Sequence, residues 1–109
     1  MYTFEQIGER GFNNLDKNHI FNIGQVNNPA TITAIQSYAF SVGENKSHTI
    51  NIYTETPITT IGAEYPFGTS NRNTINLYTS SSEVIAQFRN YVNQVTIYLN
   101  SSSTPLTAE

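Results

Sequence analysis

His19 and His48, each a few residues after a carboxylate, are where proton transfer or metal binding would have to begin in this sequence. Asp16 lies three residues before His19, and Glu44 four before His48. Those spacings converge on one face of a helix. Both segments read as strands, so neither pair is set up to share a ligand. A zinc site would need the two histidines to meet with a further ligand, and nothing in the spacing demands it. Asp16-Lys17-Asn18 has the opening of a calcium loop, but the later ligands and the closing Glu are missing. Glu44, Glu55, Glu64 and Glu83 offer carboxylate pairs of the glycosidase kind. Any chain with eight acids does so. There is no cysteine, no Gly-x-Ser-x-Gly turn, no phosphate loop and no HExxH helix. The expectation is a protein that is not an enzyme, with no catalytic residues, no metal and no cofactor.

The tyrosines suggest binding instead. One short phrase occurs three times: Ile50-Asn51-Ile52-Tyr53, Ile75-Asn76-Leu77-Tyr78 and Val95-Thr96-Ile97-Tyr98. In a strand, alternate residues face opposite sides. The aliphatic residues therefore face a core. Asn51, Tyr53, Asn76, Tyr78, Thr96 and Tyr98 face outward. Tyrosine gives large contact area with few rotors and one hydroxyl, which suits an interface or a sugar ring. It is also an ordinary strand residue, with cross-strand pairs each worth about 0.2–1 kcal/mol. A second candidate contact is the loop Glu64-Tyr65-Pro66-Phe67-Gly68, where Tyr65 and Phe67 flank a rigid proline. Phe67 has the alternative of folding back to plug the core.

The charge balance narrows the partners. Net charge is −3, with five Lys or Arg, and only 12% of residues are charged, about half the usual ~25%. The cations Arg10, Lys17, Lys46, Arg72 and Arg89 are scattered, whereas a duplex-binding surface needs them clustered. Nucleic acid is thereby set aside. Asn, Thr, Ser and Gln supply the polarity, leaving little repulsion between copies. A homo-oligomer, or docking on other protein subunits, is the expected partnership, and a neutral glycan the second class of partner. No stretch approaches the ~20 apolar residues of a membrane helix. Met1-Tyr2-Thr3-Phe4-Glu5 lacks the basic start and apolar run of a secretion signal. Cytoplasmic synthesis or a particle-associated chain is the corresponding expectation.

The elements that must position these residues follow from alternation and turn signals. Residues 1–18 hold Gly8, Gly11, Asn13 and Asn14 among most of the early charge, and read as an irregular N-terminal arm. Strands are expected near 19–23, 31–42, 47–54, 58–61, 74–79 and 95–99. Val84, Phe88, Tyr91 and Val92 fit helical spacing, but Val84, Ala86 and Phe88 also alternate. The neighbouring β-branched residues favour a strand over 83–93. Residues 101–109 read as a flexible tail.

About seven short strands over 19–100 predict an all-β domain, an antiparallel β-sandwich of which the jelly roll is one form. The copies of the phrase stand 25 and then 20 residues apart, too uneven to suggest a solenoid. The functional expectation is a non-enzymatic structural or assembly protein of virion, tail or filament type. A carbohydrate-binding module using Tyr and Asn is the alternative, and a β-rich toxin component the second alternative.

Overall fold

The computed structural model describes residues 6–7, 19–25, 27, 29, 32–40, 47–68 and 72–109, with backbone alone for Gln6, Ile7 and His19. Its elements are β1 (Gln6–Ile7), β2 (His19–Ile23), β3 (Ala34–Ile35), β4 (His48–Tyr53), β5 (Thr60–Ile61), β6 (Thr74–Tyr78), α1 (Ser82–Arg89) and β7 (Thr96–Leu99). One sheet has the order β1-β3-β5 and the other β2-β4-β6-β7. Every pairing of these described strands is parallel. This overturns the expected antiparallel sandwich. The chain alternates between the sheets, and each strand lies beside the strand one circuit earlier. It winds as a coil, a short β-solenoid.

The physical reason lies in the crossovers. A parallel neighbour needs a connection of a dozen residues or more. The long intervals between successive strands of the four-stranded sheet supply it, and each houses an element of the opposite wall. β3 and β5 lie in two of these crossovers, and α1 in the third. In the four-stranded sheet the step per circuit is 29 residues from Asn22 to Asn51 and 25 from Asn51 to Asn76. It shortens to 22 where Thr74 pairs Thr96. The uneven spacing that argued against a solenoid is thus absorbed in the turns.

Parallel register places like on like. Phe21, Ile50, Ile75 and Ile97 form one inward row, and Ile23, Ile52, Leu77 and Leu99 the next. They join Ile32 and Ile35 of the opposite wall in a single core. Phe40 and Phe67 stack within it, with ring centroids 6.4 Å apart and planes at 13°. The alternation over 31–42 does not make one long strand. Among its described residues, 32–40, only Ala34–Ile35 pair as a strand, β3, and 37–40 form a turn. Buried residues there fall on both parities, as Ala34, Ile35, Ala39 and Phe40 show.

Asn73 fastens successive circuits together. It is fully buried. Its Oδ1 accepts from the His48 N–H at 2.8 Å, and its Nδ2 donates to the carbonyls of Phe40 and Phe67, each at 2.8 Å. Gly62 shows how close the circuits run: a Cβ there would lie 2.1 Å from the Ser37 nitrogen. Its own N–H donates to the Ile35 carbonyl at 2.8 Å. No side chain fits that approach.

The segment 83–93 corrects a second expectation, because it holds helix α1 rather than a strand. Ser81 is the N-cap, its Oγ accepting from Val84 N–H at 3.2 Å, and Glu83 complements the first turn. Val84 and Phe88 enter the core four residues apart. Gln87 reaches the segment before β5 in the same wall, accepting from Ile58 N–H at 2.8 Å and donating to Ile58 C=O at 2.7 Å. That amide does the work of a strand's peptide, so the helix closes the β5 side of the coil.

The expected tail, 101–109, turns back along β7. Leu106 donates its N–H to the Ile97 carbonyl at 2.7 Å and packs half-buried against the core. Arg89 donates to the Thr107 carbonyl at 2.7 Å. Of the expected arm, Gln6–Ile7 pair in register with Ala34–Ile35, and the remainder lies outside the described residues. No helix among the described residues is long and apolar enough to cross a membrane.

Candidate functional site

The outer face of the four-stranded sheet carries three rows of side chains. Ile20, Thr49, Thr74 and Thr96 form the first, and Asn22, Asn51, Asn76 and Tyr98 the second. Tyr53 and Tyr78 form the third. None of these ten residues is charged.

The Asn row is a hydrogen-bonded ladder. Asn76 Nδ2 donates to Asn51 Oδ1 at 2.8 Å, and Asn51 Nδ2 donates to Asn22 Oδ1 at 2.9 Å. Each amide repeats the backbone's own stacking on the side chain, at about 0.5–1.5 kcal/mol net per bond. Tyr53 and Tyr78 stack with centroids 4.4 Å apart and planes at 9°. Such a pair adds about 0.5–1.5 kcal/mol beyond area burial. The face is therefore set by mutual contacts rather than by solvent.

Of the six expected face residues, all lie on this sheet. Asn51, Tyr53, Asn76 and Tyr78 stand in matched register. Thr96 and Tyr98 are displaced by two positions, so Tyr98 stands beside Asn76 and ends the Asn row. A two-residue slip keeps every side chain on its own face, which is why the third phrase looked equivalent. Asn22 was missed because its phrase, Phe21-Asn22-Ile23-Gly24, has glycine where the others have tyrosine.

The loop residues separate. Tyr65 is 41% exposed, with a positive φ of 45°. Phe67 is fully buried against Phe40, Phe88 and Tyr91, so it offers no surface for a loop contact. Three aromatic neighbours outbid solvent for that ring.

Beside the Tyr row lies a cleft of about 480 Å³. Tyr53 and Tyr78 line it, Gln25 and Pro29 come from the first circuit, and Thr54, Glu55, Thr79, Ser80 and Asn100 are the other described residues around it. Glu55 accepts from the Ser80 N–H at 2.5 Å, from the Ser80 hydroxyl, and from Thr79 Oγ1 at 2.8 Å. These donors, the Ser80 hydroxyl foremost, hold its carboxyl below the ordinary Glu range. Asn100, at φ 49°, grips the Thr79 peptide, accepting from its N–H at 3.0 Å and donating to its carbonyl at 2.9 Å. The cleft wall is thus a closed polar network, and no sequence motif announced it.

His19 and His48 are paired in register, and His48 is buried with its ring edge-on to Phe21 at 5.3 Å. Among the described residues no group of three His, Cys, Asp or Glu comes together. Compared with family models, with curated proteins and with solved structures, the chain matches none.

Proposed function

We propose that this chain is a non-enzymatic assembly module that associates with copies of itself through the outer face of its four-stranded sheet. The observation that supports this reading is the three-row face itself. Its ten side chains are uncharged, and two of its rows are rigidified by the Asn ladder and the Tyr stack. Rigid side chains lose little entropy on docking. Ile20, at 71% exposure, adds an apolar anchor at the end of the Thr row. Tyrosine is enriched in interface cores, where charge is depleted.

Thr74→Lys places a cation within the Thr row of the face. Light scattering of the wild type is expected to give a mass above the 12.2 kDa monomer, rising with concentration to a plateau. The variant is expected to give the monomer mass with an unchanged circular dichroism spectrum. A wild type that stays monomeric at every concentration, or a variant that still assembles, contradicts the proposal.

A further inference from the structure

β7 ends the four-stranded sheet, and the chain beyond it folds back over that edge. We propose that residues 101–109 are a detachable cap on β7, and that lifting it lets two copies of the chain join edge to edge through β7. This is independent of association through the outer face.

Thr96 and Asn100 donate their N–H groups to the Asn73 and Leu77 carbonyls, on the β6 side, at 3.3 and 2.8 Å. Successive residues of a strand turn their peptide groups to opposite neighbours, so those of Ile97 and Leu99 point to the outer edge. Both outward carbonyls are taken by the returning segment. Ser102 N–H donates to Leu99 at 3.0 Å, and Leu106 N–H to Ile97 at 2.7 Å. An incoming strand needs these same two carbonyls, so the segment and a strand exclude one another. The hold is slight. Asn100 and Ser101 reverse the chain at φ 49° and 64°, in the left-handed region that non-glycine residues rarely take. Beyond them residues 101–105 and 107–109 are exposed, and Leu106 is half-buried. Arg89 adds a bond to the Thr107 carbonyl. The cap on the other wall is different in kind: Gln87 holds Ile58 from a helix anchored by the fully buried Val84 and Phe88. That cap cannot leave without opening the core, whereas the β7 cap leaves with one half-buried side chain.

A second copy of β7 is the strand that fits. Thr96–Leu99 carries no charge and no proline, the residues that ordinarily blunt an edge against its own kind. The returning segment is its protection. An isologous pair needs this one edge and no other surface, and it closes at two copies. With Tyr98 opposite its counterpart, antiparallel β7 strands set Ile97 against Leu99 of the second copy, and such a pair exchanges both backbone bonds. Ile97 and Leu99 also end the two inward rows, so their side chains meet on the core side of the joined sheet.

The test uses the full chain with Thr74→Lys throughout, so that association through the outer face is silent. Leu106→Pro removes the N–H given to Ile97, and Arg89→Ala removes the tie at Thr107. In that chain the Thr104 and Thr107 amides should show the low heteronuclear NOE of a released segment. Light scattering should then rise with concentration to a plateau at twice the 12.2 kDa monomer, while Thr74→Lys alone stays at the monomer mass. Hydrogen exchange at the Ile97 and Leu99 amides should slow about tenfold over the same range. Leu106→Ala keeps the N–H and removes only the packing. It should dimerise at higher concentration, and it decides the question if circular dichroism shows the proline variant unfolded. A released segment with a monomer mass overturns the proposal. So does a segment that stays ordered, growth past the dimer, or a dimer with unchanged exchange at Ile97 and Leu99. If Thr74→Lys alone is already multimeric, the face reading fails, and exchange at Ile97 and Leu99 still decides this one.

Discussion

Replacing Asn73 by alanine is expected to remove a large share of this protein's stability. The side chain makes three buried hydrogen bonds, one to the start of β4 and two to turns of successive circuits. Truncation leaves one N–H and two carbonyls without it. A buried polar group left unsatisfied costs about 1–3 kcal/mol, the carbonyls toward the lower end because their second lone pair is more tolerant. The sum is about 3–6 kcal/mol. A chain of this length has roughly 5–15 kcal/mol in total. Urea unfolding followed by far-ultraviolet circular dichroism gives the loss by linear extrapolation. Asn73→Asp sharpens the test. It keeps the acceptor for His48 N–H but turns an oxygen toward the two carbonyls. Protonation restores one donor, so its folded-state pKa lies above the unfolded value. Its stability relative to wild type should therefore rise as pH falls through that pKa. A loss below about 1 kcal/mol for Asn73→Ala would refute the reasoning, as would an Asp variant whose deficit ignores pH.

Other outcomes follow from the same contacts. Gly62→Ala puts a methyl 2.1 Å from a backbone nitrogen and should cost at least ~2–3 kcal/mol by urea titration, since overpacking against backbone cannot be relieved by a rotamer. Glu55 has a depressed pKa in the fold. Its contribution is present above the unfolded-state pKa and lost as pH falls through the folded one. Carboxylate NMR titration should show Glu55 below the ordinary Glu range, and Ser80→Ala should move it back up. Gln87→Ala removes both bonds to Ile58 and should cost about 1–3 kcal/mol in thermal or urea unfolding.

The strands of the ladder sheet were legible chiefly because β4 and β6 have a strict alternation of period two. His19–Ile23, His48–Tyr53 and Thr74–Tyr78 fall where Ile, Asn and Tyr alternate. Their direction was not legible, because alternation is the same in parallel and antiparallel strands. The missing signal was a second repeat. Ile32, Ile35 and Phe40 recur as Ile58, Ile61 and Phe67, and Phe4, Ile7 and Phe12 show similar spacing in the sequence. Two interleaved repeats of similar period mark the two walls of a coil. The strands β3 and β5 are only two residues each, too short for alternation to show. Helix α1 was misread because Val84, Ala86 and Phe88 satisfy period two as well as Val84 and Phe88 satisfy the helical period. The cap at Ser81 and the pairing of Gln87 with Ile58 decide it. The Asn–Tyr face was readable from residue type. The cleft was not, since Glu55, Ser80 and Asn100 meet only after the coil closes.

The account rests on β4 and β6 being neighbours in register, with Asn51 beside Asn76. The chain has no cysteine, so a cysteine pair reports on this directly. Neighbouring strands lie about 4.8 Å apart, within the ~4.4–6.8 Å Cα range of a disulfide. Asn51→Cys with Asn76→Cys should form an intramolecular bond under mild oxidation, read as a two-dalton mass decrease in the monomer. Asn51→Cys with Leu77→Cys, one residue out of register and on the opposite face, should stay reduced. A reversed outcome, or equal oxidation of both pairs, would contradict the in-register coil and the face built on it.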